Sequence, residues 1–327
     1  RIYFPDYHIE SYPLIPPSLS GTPLSALSLT IIPSAEIVVY DVPYIGDEAT
    51  WASYHPDIMD LSGFGGIHGM AVNKCYDLWA VDPEQDYLLK FQVDGTLLLQ
   101  TRIEPSGCSP MGIALDSQSN LWVTLYGSSS TIKFDYTGTF MDIVAVPNGY
   151  DPNEVVGGDD IRYRPVGVDT DVDDNIWVAY ENFLASALIK YDTNGVQLLS
   201  CELPLSAQPQ DVIVDPIRQA VWVTNTYEEI SSVDAWAYWK NGTTLPGSVQ
   251  LWSSGGVLLS SYSGFDHPSY ITLDRNLGAW FTFGYHNVGH ITSGGDITTF
   301  VVSAADFVSY ASGDFFSDYD IFSHEYN

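Results

Sequence analysis

Five tryptophans, Trp79, Trp122, Trp177, Trp222 and Trp280, recur at intervals of 43, 55, 45 and 58 residues, each inside the same local pattern. The clearest copies read Pro110-Met-Gly-Ile-Ala-Leu-Asp116 before Asn120-Leu-Trp122-Val-Thr124, and Pro165-Val-Gly-Val-Asp169 before Asn175-Ile-Trp177-Val178. Looser copies surround Trp222 (Pro209 to Asp215, then Val221-Trp222-Val-Thr224) and Trp280 (Pro268 to Asp274, then Ala279-Trp280-Phe-Thr282). The first runs from Ile67-His68 to Leu78-Trp79. After the first three tryptophans an alternating run closes on a glycine turn, at Lys90–Gly95, Lys133–Gly138 and Lys190–Gly195, and a fourth run follows, as at Phe140–Val146 and Val196–Leu203. Short alternating strands with Asx and glycine turns at regular spacing make antiparallel hairpins rather than helices.

Four strands per ~43 residues is the period of a propeller blade. A blade cannot cover both of its faces alone, so blades pack radially and the tryptophan fills the wedge between neighbours. The pattern predicts an all-β, six-bladed β-propeller of four-stranded antiparallel blades. Five blades are complete in sequence. The sixth is expected from the two ends, the strand Glu36–Val42 pairing with C-terminal strands from Phe307–Phe322 and so removing the open edges of the ring. Residues 34–327 then form one propeller domain, and 1–33, with its Pro- and Ser-rich stretch Tyr12–Pro33, an extended arm or linker. The start Arg1-Ile2-Tyr3-Phe4-Pro5, without a Met or a signal-peptide pattern, is read as that of a processed chain or a segment of a longer one.

Charge narrows the partners. Against 41 Asp and Glu stand 11 Lys and Arg, a net charge of −30. Phosphate backbones are met with Lys and Arg, so nucleic acid and anionic membrane surfaces are excluded as expected partners. Apolar residues at 45% suffice for a core, and no apolar run reaches the length of a membrane-spanning helix. Solubility rests on Ser, Thr, Gly and Tyr, which suits an extracellular or virion-surface protein. Cys75, Cys108 and Cys201 lack zinc-ligand spacing and are expected as buried thiols, one bridge at most being available to an odd count.

In a four-stranded blade the connections from strand 4 to the next strand 1, and from strand 2 to strand 3, leave from one face. The three long insertions, Tyr44–Gly65, Asn148–Arg164 and Thr226–Ser248, fall in those two classes. Binding concentrates where long loops gather on a rigid scaffold. The insertions carry Tyr44, Trp51, Tyr54, His55, Tyr150, Tyr163, Tyr227, Trp236, Tyr238 and Trp239. Aromatics displayed in this way stack on sugar rings or anchor a protein interface, or else pack on one another to hold the loops down. The acidic run Asp151–Asp160 favours a neutral or basic partner. Asn241-Gly-Thr243 is a glycosylation sequon on the longest insertion.

The run His267-Pro-Ser-Tyr-Ile-Thr-Leu-Asp274, with Trp280-Phe-Thr and Asn287-Val-Gly-His-Ile-Thr-Ser-Gly-Gly295, resembles the blade signature of the virginiamycin B lyase-like propellers. The other blades are similar to NHL and SMP-30 type repeats, and the resemblance spans about residues 66–303. The lyase-like family implies a histidine and glutamates around a magnesium ion at the mouth of the axial channel, and His68 and His267 are the candidate catalytic residues if the chain is an enzyme. Three residues after each Trp stand Asp82, Leu125, Tyr180, Asn225 and Phe283, so the family's Trp-Phe-Thr-Glu pattern is broken at Phe283. An SMP-30 type lactonase implies an axial calcium, for which Asp82, Glu181 and Asn225 are the candidate ligands. Asp169-Thr-Asp171-Val-Asp173-Asp174-Asn175 has the alternating carboxylates of a calcium loop but Tyr180 at its twelfth position, and it reads more simply as a strand 1 to strand 2 turn. Two functions follow. One is a non-catalytic interaction module binding protein or glycan without a cofactor; the alternative is a Ca2+- or Mg2+-dependent lyase or lactonase.

Overall fold

The structure is a computed structural model describing residues 64–73, 77–92, 95–145, 147, 163–182, 186–204, 207–227, 246–274, 276–284 and 287–301, together with the backbone of seven short strands outside them. Those strands are β1 (Ile2–Asp6), β2 (Ile9–Leu14), β3 (Leu27–Ile32), β4 (Glu36–Tyr40), β5 (Asp57–Asp60) and, further on, β14 (Val155–Val156) and β15 (Asp159–Asp160). Trp51, Tyr54, His55, Tyr150, Trp236, Tyr238, Trp239, the sequon, Cys75 and residues 302–327 lie outside the described residues. No helix occurs among the described residues.

Five four-stranded antiparallel sheets follow one another along the chain, each with its strands in sequence order. Blade 1 comprises β6 (Met70–Val72), β7 (Leu78–Asp82), β8 (Tyr87–Phe91) and β9 (Leu97–Arg102). Blade 2 comprises β10 (Pro110–Leu115), β11 (Leu121–Leu125), β12 (Ser130–Phe134) and β13 (Phe140–Ala145). Blade 3 comprises β16 (Arg164–Thr170), β17 (Ile176–Glu181), β18 (Ala187–Tyr191) and β19 (Gln197–Glu202). Blade 4 comprises β20 (Pro209–Asp215), β21 (Ala220–Asn225), β22 (Gly247–Ser253) and β23 (Leu258–Phe265). Blade 5 comprises β24 (Ile271–Leu273), β25 (Ala279–Phe283), β26 (Asn287–Ile291) and β27 (Ile297–Val301).

The N-terminal strands form two small sheets. β4 is the central strand of a three-stranded sheet ordered β1-β4-β5. Both of its hydrogen-bonding edges are taken, by β1 in register Ile2↔Tyr40 and by β5 in register Glu36↔Asp60, and Phe307–Phe322, expected to pair with it, lie outside the described residues. The segment 1–33, expected as an arm, holds β1 in that sheet and β2 and β3 as a hairpin.

Each repeated Trp sits near the start of its blade's second strand. Trp79, Trp122, Trp177 and Trp222 are fully buried. In blades 1 to 3 the residue paired across from the Trp is a lysine, Lys90, Lys133 or Lys190. Its ammonium lies 5.0, 4.4 or 5.2 Å above the indole and bonds a carboxylate of the strand 1 to strand 2 turn, Asp77, Asp116 or Asp171, at 3.0, 3.1 and 2.7 Å. Cation–π attraction and a charge-assisted bond therefore close the rim of each wedge. Blade 5 repeats the device with His290, stacked on Trp280 at 4.2 Å and bonded to Asp274 at 3.0 Å. Blade 4 has Leu251 opposite Trp222, and Arg218 takes the cation's place beside Asp215 at 3.3 Å.

Neighbouring blades are joined through their first strands. Gly112 in β10 donates its N–H to Thr124 Oγ1 at 2.7 Å, and that hydroxyl donates to Val166 O of blade 3 at 2.7 Å. Thr224 does the same in blade 4, accepting from Asp211 N at 3.1 Å and donating to Ser269 O of blade 5. Blade 3 has Ala179 at this position. There Asp169 Oδ2 accepts the N–H of Val214 in blade 4 at 2.7 Å instead. Ladder irregularities at Pro110/Ile113, Pro165/Val168 and Pro209/Asp211 accompany the Gly112, Val166 and Asp211 backbone groups that the two threonines satisfy.

Replacing Thr124 by Val, equal in shape, leaves two buried backbone groups without their partner. At ~1–3 kcal/mol for each, Thr124→Val is expected to lower unfolding free energy by about 2–4 kcal/mol in urea titration, while Thr124→Ser stays within about 1 kcal/mol of wild type.

Candidate functional site

At the end of the blades where second strands finish and first strands begin, side chains from blades 2, 3, 4 and 5 come together. Tyr126 follows β11, Glu181 ends β17, and Thr226 and Tyr227 follow β21. Arg164 opens β16, Gln208 precedes β20, and Asp266 and His267 follow β23. The connections containing 146–163 and 226–246 leave from this same end.

Glu181, only 9% exposed, accepts from the Tyr126 hydroxyl at 3.1 Å and from Gln208 Nε2 at 3.4 Å, joining three blades. The Arg164 guanidinium lies 4.7 Å over the Tyr126 ring. On the other side, Tyr227 meets the His267 ring edge-on at 5.4 Å, and His267 Nδ1 donates to Asp266 Oδ1 at 2.5 Å. That bond is the chief cause holding the Asp266 carboxyl below the usual range. Burial pushes the Tyr227 phenol up, and the charges of Asp266 and Glu181 push it further. Burial, followed by Glu181, likewise raises Tyr126 against the pull of Arg164. Two carboxylates, Glu181 and Asp266, and two phenols, Tyr126 and Tyr227, thus gather here beside Arg164 and His267.

The structure distributes the expected residues unevenly. Glu181, Tyr227 and His267 belong to this mouth. Tyr163 turns inward, its ring edge-on to buried Tyr180 at 6.1 Å, so it anchors the start of blade 3 to the core. His68 sits at the boundary of blades 1 and 2, where its Nδ1–H donates to Met111 O at 3.2 Å; its ring also lies 5.4 Å from that of Tyr270 in blade 5. Asp82 is buried and capped, its oxygens accepting N–H groups of Gly65 at 2.8 Å and of Glu84 and Gln85 at 3.0 Å. Burial raises its pKa and those bonds oppose the rise. Asn225 is buried, donates to Ser248 Oγ at 3.5 Å, and keeps Oδ1 without a hydrogen-bond partner. Asp82, Glu181 and Asn225 thus end the second strands of blades 1, 3 and 4, the first two with oxygens on protein donors. Among the described residues no group of three Asp, Glu, His or Cys could hold a metal ion.

The acidic stretch of blade 3 is a turn. Asp171 accepts the N–H groups of Asp173 and Asn175 at 3.0 Å besides pairing with Lys190. Asp174 reaches blade 2, accepting from Ser117 N at 2.7 Å and Ser117 Oγ at 2.6 Å. Cys108 and Cys201 are free and buried, and burial pushes their thiols up to about 12 and about 11. Tyr126, Arg164, Gln208 and Asp266 carry no motif in the sequence. The fourth residue after the Trp, Tyr126 in blade 2 and Glu181 in blade 3, points to the same side as the Trp and reaches the mouth.

No known protein family matches the sequence, and no curated protein matches it. Solved structures do. A streptogramin B lyase aligns with a TM-score of 0.55 at 15% identity, over 74% of this chain and 71% of the other. A gluconolactonase from Xanthomonas campestris gives 0.56 at 16%, over 93% and 89%. A chain of a nidogen/laminin complex gives 0.57 at 14%, over 82% and 90%. The chain is a β-propeller with the fold of the virginiamycin B lyase, SMP-30 and NHL-type structures. Some members of that group are enzymes and one is half of a protein–protein complex, so the shared fold does not choose between the two functions.

Burial lowers the pKa of His68 to about 4, with the bond to Met111 opposing the shift. An imidazole that charges more readily unfolded withdraws stability as pH falls from about 6.5 to 4. His68→Gln is expected to flatten that acid limb by on the order of 2–3 kcal/mol relative to wild type in paired urea titrations at pH 7 and pH 4.

Proposed function

We propose that the chain is a non-catalytic interaction module, a six-bladed propeller at an extracellular or virion surface, binding a protein or a glycan through its long-loop face. The observation that carries this reading is the shared position of the long connections and the aromatic, acidic mouth. The connections containing 146–163 and 226–246 both leave beside Tyr126, Glu181 and Tyr227. Their sequences add Tyr150, Trp236, Tyr238 and Trp239 to a face that already presents phenols. Rigid aromatic anchors give large contact area at small entropic cost. Negative charge at the mouth disfavours anionic partners. The propeller found in the nidogen/laminin complex is a neighbour of the same fold engaged with protein. The test is binding to the parent assembly and to a glycan panel by wild type and by Trp236→Ala/Trp239→Ala. At ~2 kcal/mol or more per anchor, the double variant is expected to lose at least about 30-fold in affinity with its melting temperature unchanged. Unaltered binding in both assays would move the interface elsewhere.

A second reading rests on the Asp266–His267 pair beside Tyr227, in the blade whose sequence resembles the lyase signature. It predicts turnover of a lactone or cyclic depsipeptide in the presence of Mg2+ or Ca2+, abolished in His267→Ala. Absence of turnover with either ion leaves the interaction module as the reading.

A further inference from the structure

All thirteen large apolar side chains that are exposed among the described residues lie at one end of the blades, opposite the mouth. They belong to the turns from strand 1 to 2 and from strand 3 to 4, or to the first residues of the fourth strands. In blades 1 to 4 the ladder between the third and fourth strands slips by one residue where the fourth strand begins. The extra residue is Leu98, Met141, Leu198 or Leu259, each 48 to 53% exposed. A bulge re-aims the side chain it carries, and here each one presents an apolar side chain at the rim. Ile297 opens the fourth strand of blade 5, exposed as well but in a regular ladder.

These positions adjoin one another around the ring. The turn at Gly138 of blade 2 packs on Leu99 of blade 1, that at Gly256 of blade 4 on Leu199 and Cys201 of blade 3, and that at Gly295 of blade 5 on Tyr262 of blade 4. No connection at this end is longer than five residues. The described chain enters blade 1 and leaves blade 5 at the mouth end, and the connections containing 146–163 and 226–246 start there too. An exposed apolar surface of this extent, edged by polar groups, marks an interface.

Charge decides what can cover it. The cations Lys90, Lys133, Lys190 and Arg218 of this end are each engaged with a turn carboxylate. Asp135, Asp173, Asp192 and Asp296 stand among the apolar residues and enter none of the ion pairs formed among the described residues. Asp135 and Asp192 hold their turns instead, accepting the N–H groups of Thr137 and Thr139, and of Asn194 and Val196. A second copy of the chain would set its own carboxylates against these, and an anionic bilayer would be repelled in the same way. Lysines and arginines set around an apolar centre would be attracted.

We propose that this short-turn end is a second docking surface, taking a protein partner whose apolar contact is edged with Lys and Arg, with the four bulged residues as its anchors. It lies opposite the mouth, so it stands whether or not the loop face binds.

The test measures binding of an amphipathic Leu/Lys peptide to the full chain, as wild type and as Met141→Ser/Leu198→Ser/Leu259→Ser, with a Leu/Glu peptide and phosphatidylcholine vesicles as controls. Wild type is expected to prefer the Leu/Lys peptide, and the triple variant to bind it at least about tenfold more weakly at an unchanged melting temperature. Equal affinity of wild type and variant would overturn the proposal. So would equal binding of the Leu/Glu peptide, vesicle binding that the triple variant abolishes, or a dimer in sedimentation that the triple variant dissolves. Should the triple variant fail to fold, hydrogen exchange of the wild type with the Leu/Lys peptide decides. Protection at the short turns and the starts of β9, β13, β19 and β23 supports the surface, and protection confined to the mouth end overturns it.

Discussion

The contact between first strands of adjacent blades is the constraint on which the rest of the structure depends. Wedge-shaped sheets can stand side by side only if their inner edges approach closely. Here Gly112 faces Val166 O, and a Cβ at Gly167 would lie 2.7 Å from Asp211 Cα. Such proximity leaves backbone N–H and C=O groups pointing across a boundary that no sheet ladder can satisfy. Side chains supply the missing partners at every described boundary: His68 from blade 1 to 2, Thr124 from 2 to 3, Asp169 from 3 to 4, and Thr224 with Asp211 from 4 to 5. The residue types differ, but each satisfies a first-strand group of the next blade.

Two groups of ionisable residues result, with opposite electrostatics. Near the short turns, the carboxylates Asp77, Asp116 and Asp171 are matched by Lys90, Lys133 and Lys190 laid over the tryptophans. Asp116 and Asp171 are held below the usual range by bonds to Asn and Lys in spite of burial. Four of the chain's 11 basic residues, these three lysines and Arg218, are committed there. At the inner strands and the mouth the carboxylates of Asp169, Asp211 and Glu181 are met mainly by neutral donors. Carboxylates at the turns are thus compensated by cations, and those at the blade boundaries by neutral donors.

Much of this was legible in the sequence. The Trp-centred repeat identified the five blades, because a wedge between sheets needs one large apolar filler per unit, and Trp79, Trp122, Trp177 and Trp222 are fully buried. The turn reading of Asp169–Asn175 fits Asp171, whose carboxylate accepts N–H groups two and four residues on, whereas Asp174 turns to Ser117 of blade 2. Less was legible where function depends on contacts between blades. Thr124, Asp169 and Asp211 bond partners 42 to 60 residues away in sequence, and no local pattern reveals those contacts. At the N-terminus, β4 carries an apolar run that suits a central strand as well as an outer one, and sequence does not say that β1 and β5 flank it.

If first-strand bridges hold the ring together, the amides they engage open only when the blades come apart. Native-state hydrogen exchange at Val214 and Ile271 measures this directly. The account predicts that both amides exchange as slowly as those of the central strands β11, β17 and β21, through global unfolding. Exchange at the rate of the outer strands β9, β13 and β19, while the central strands stay protected, would contradict it and return the cohesion of the ring to the tryptophan wedges alone.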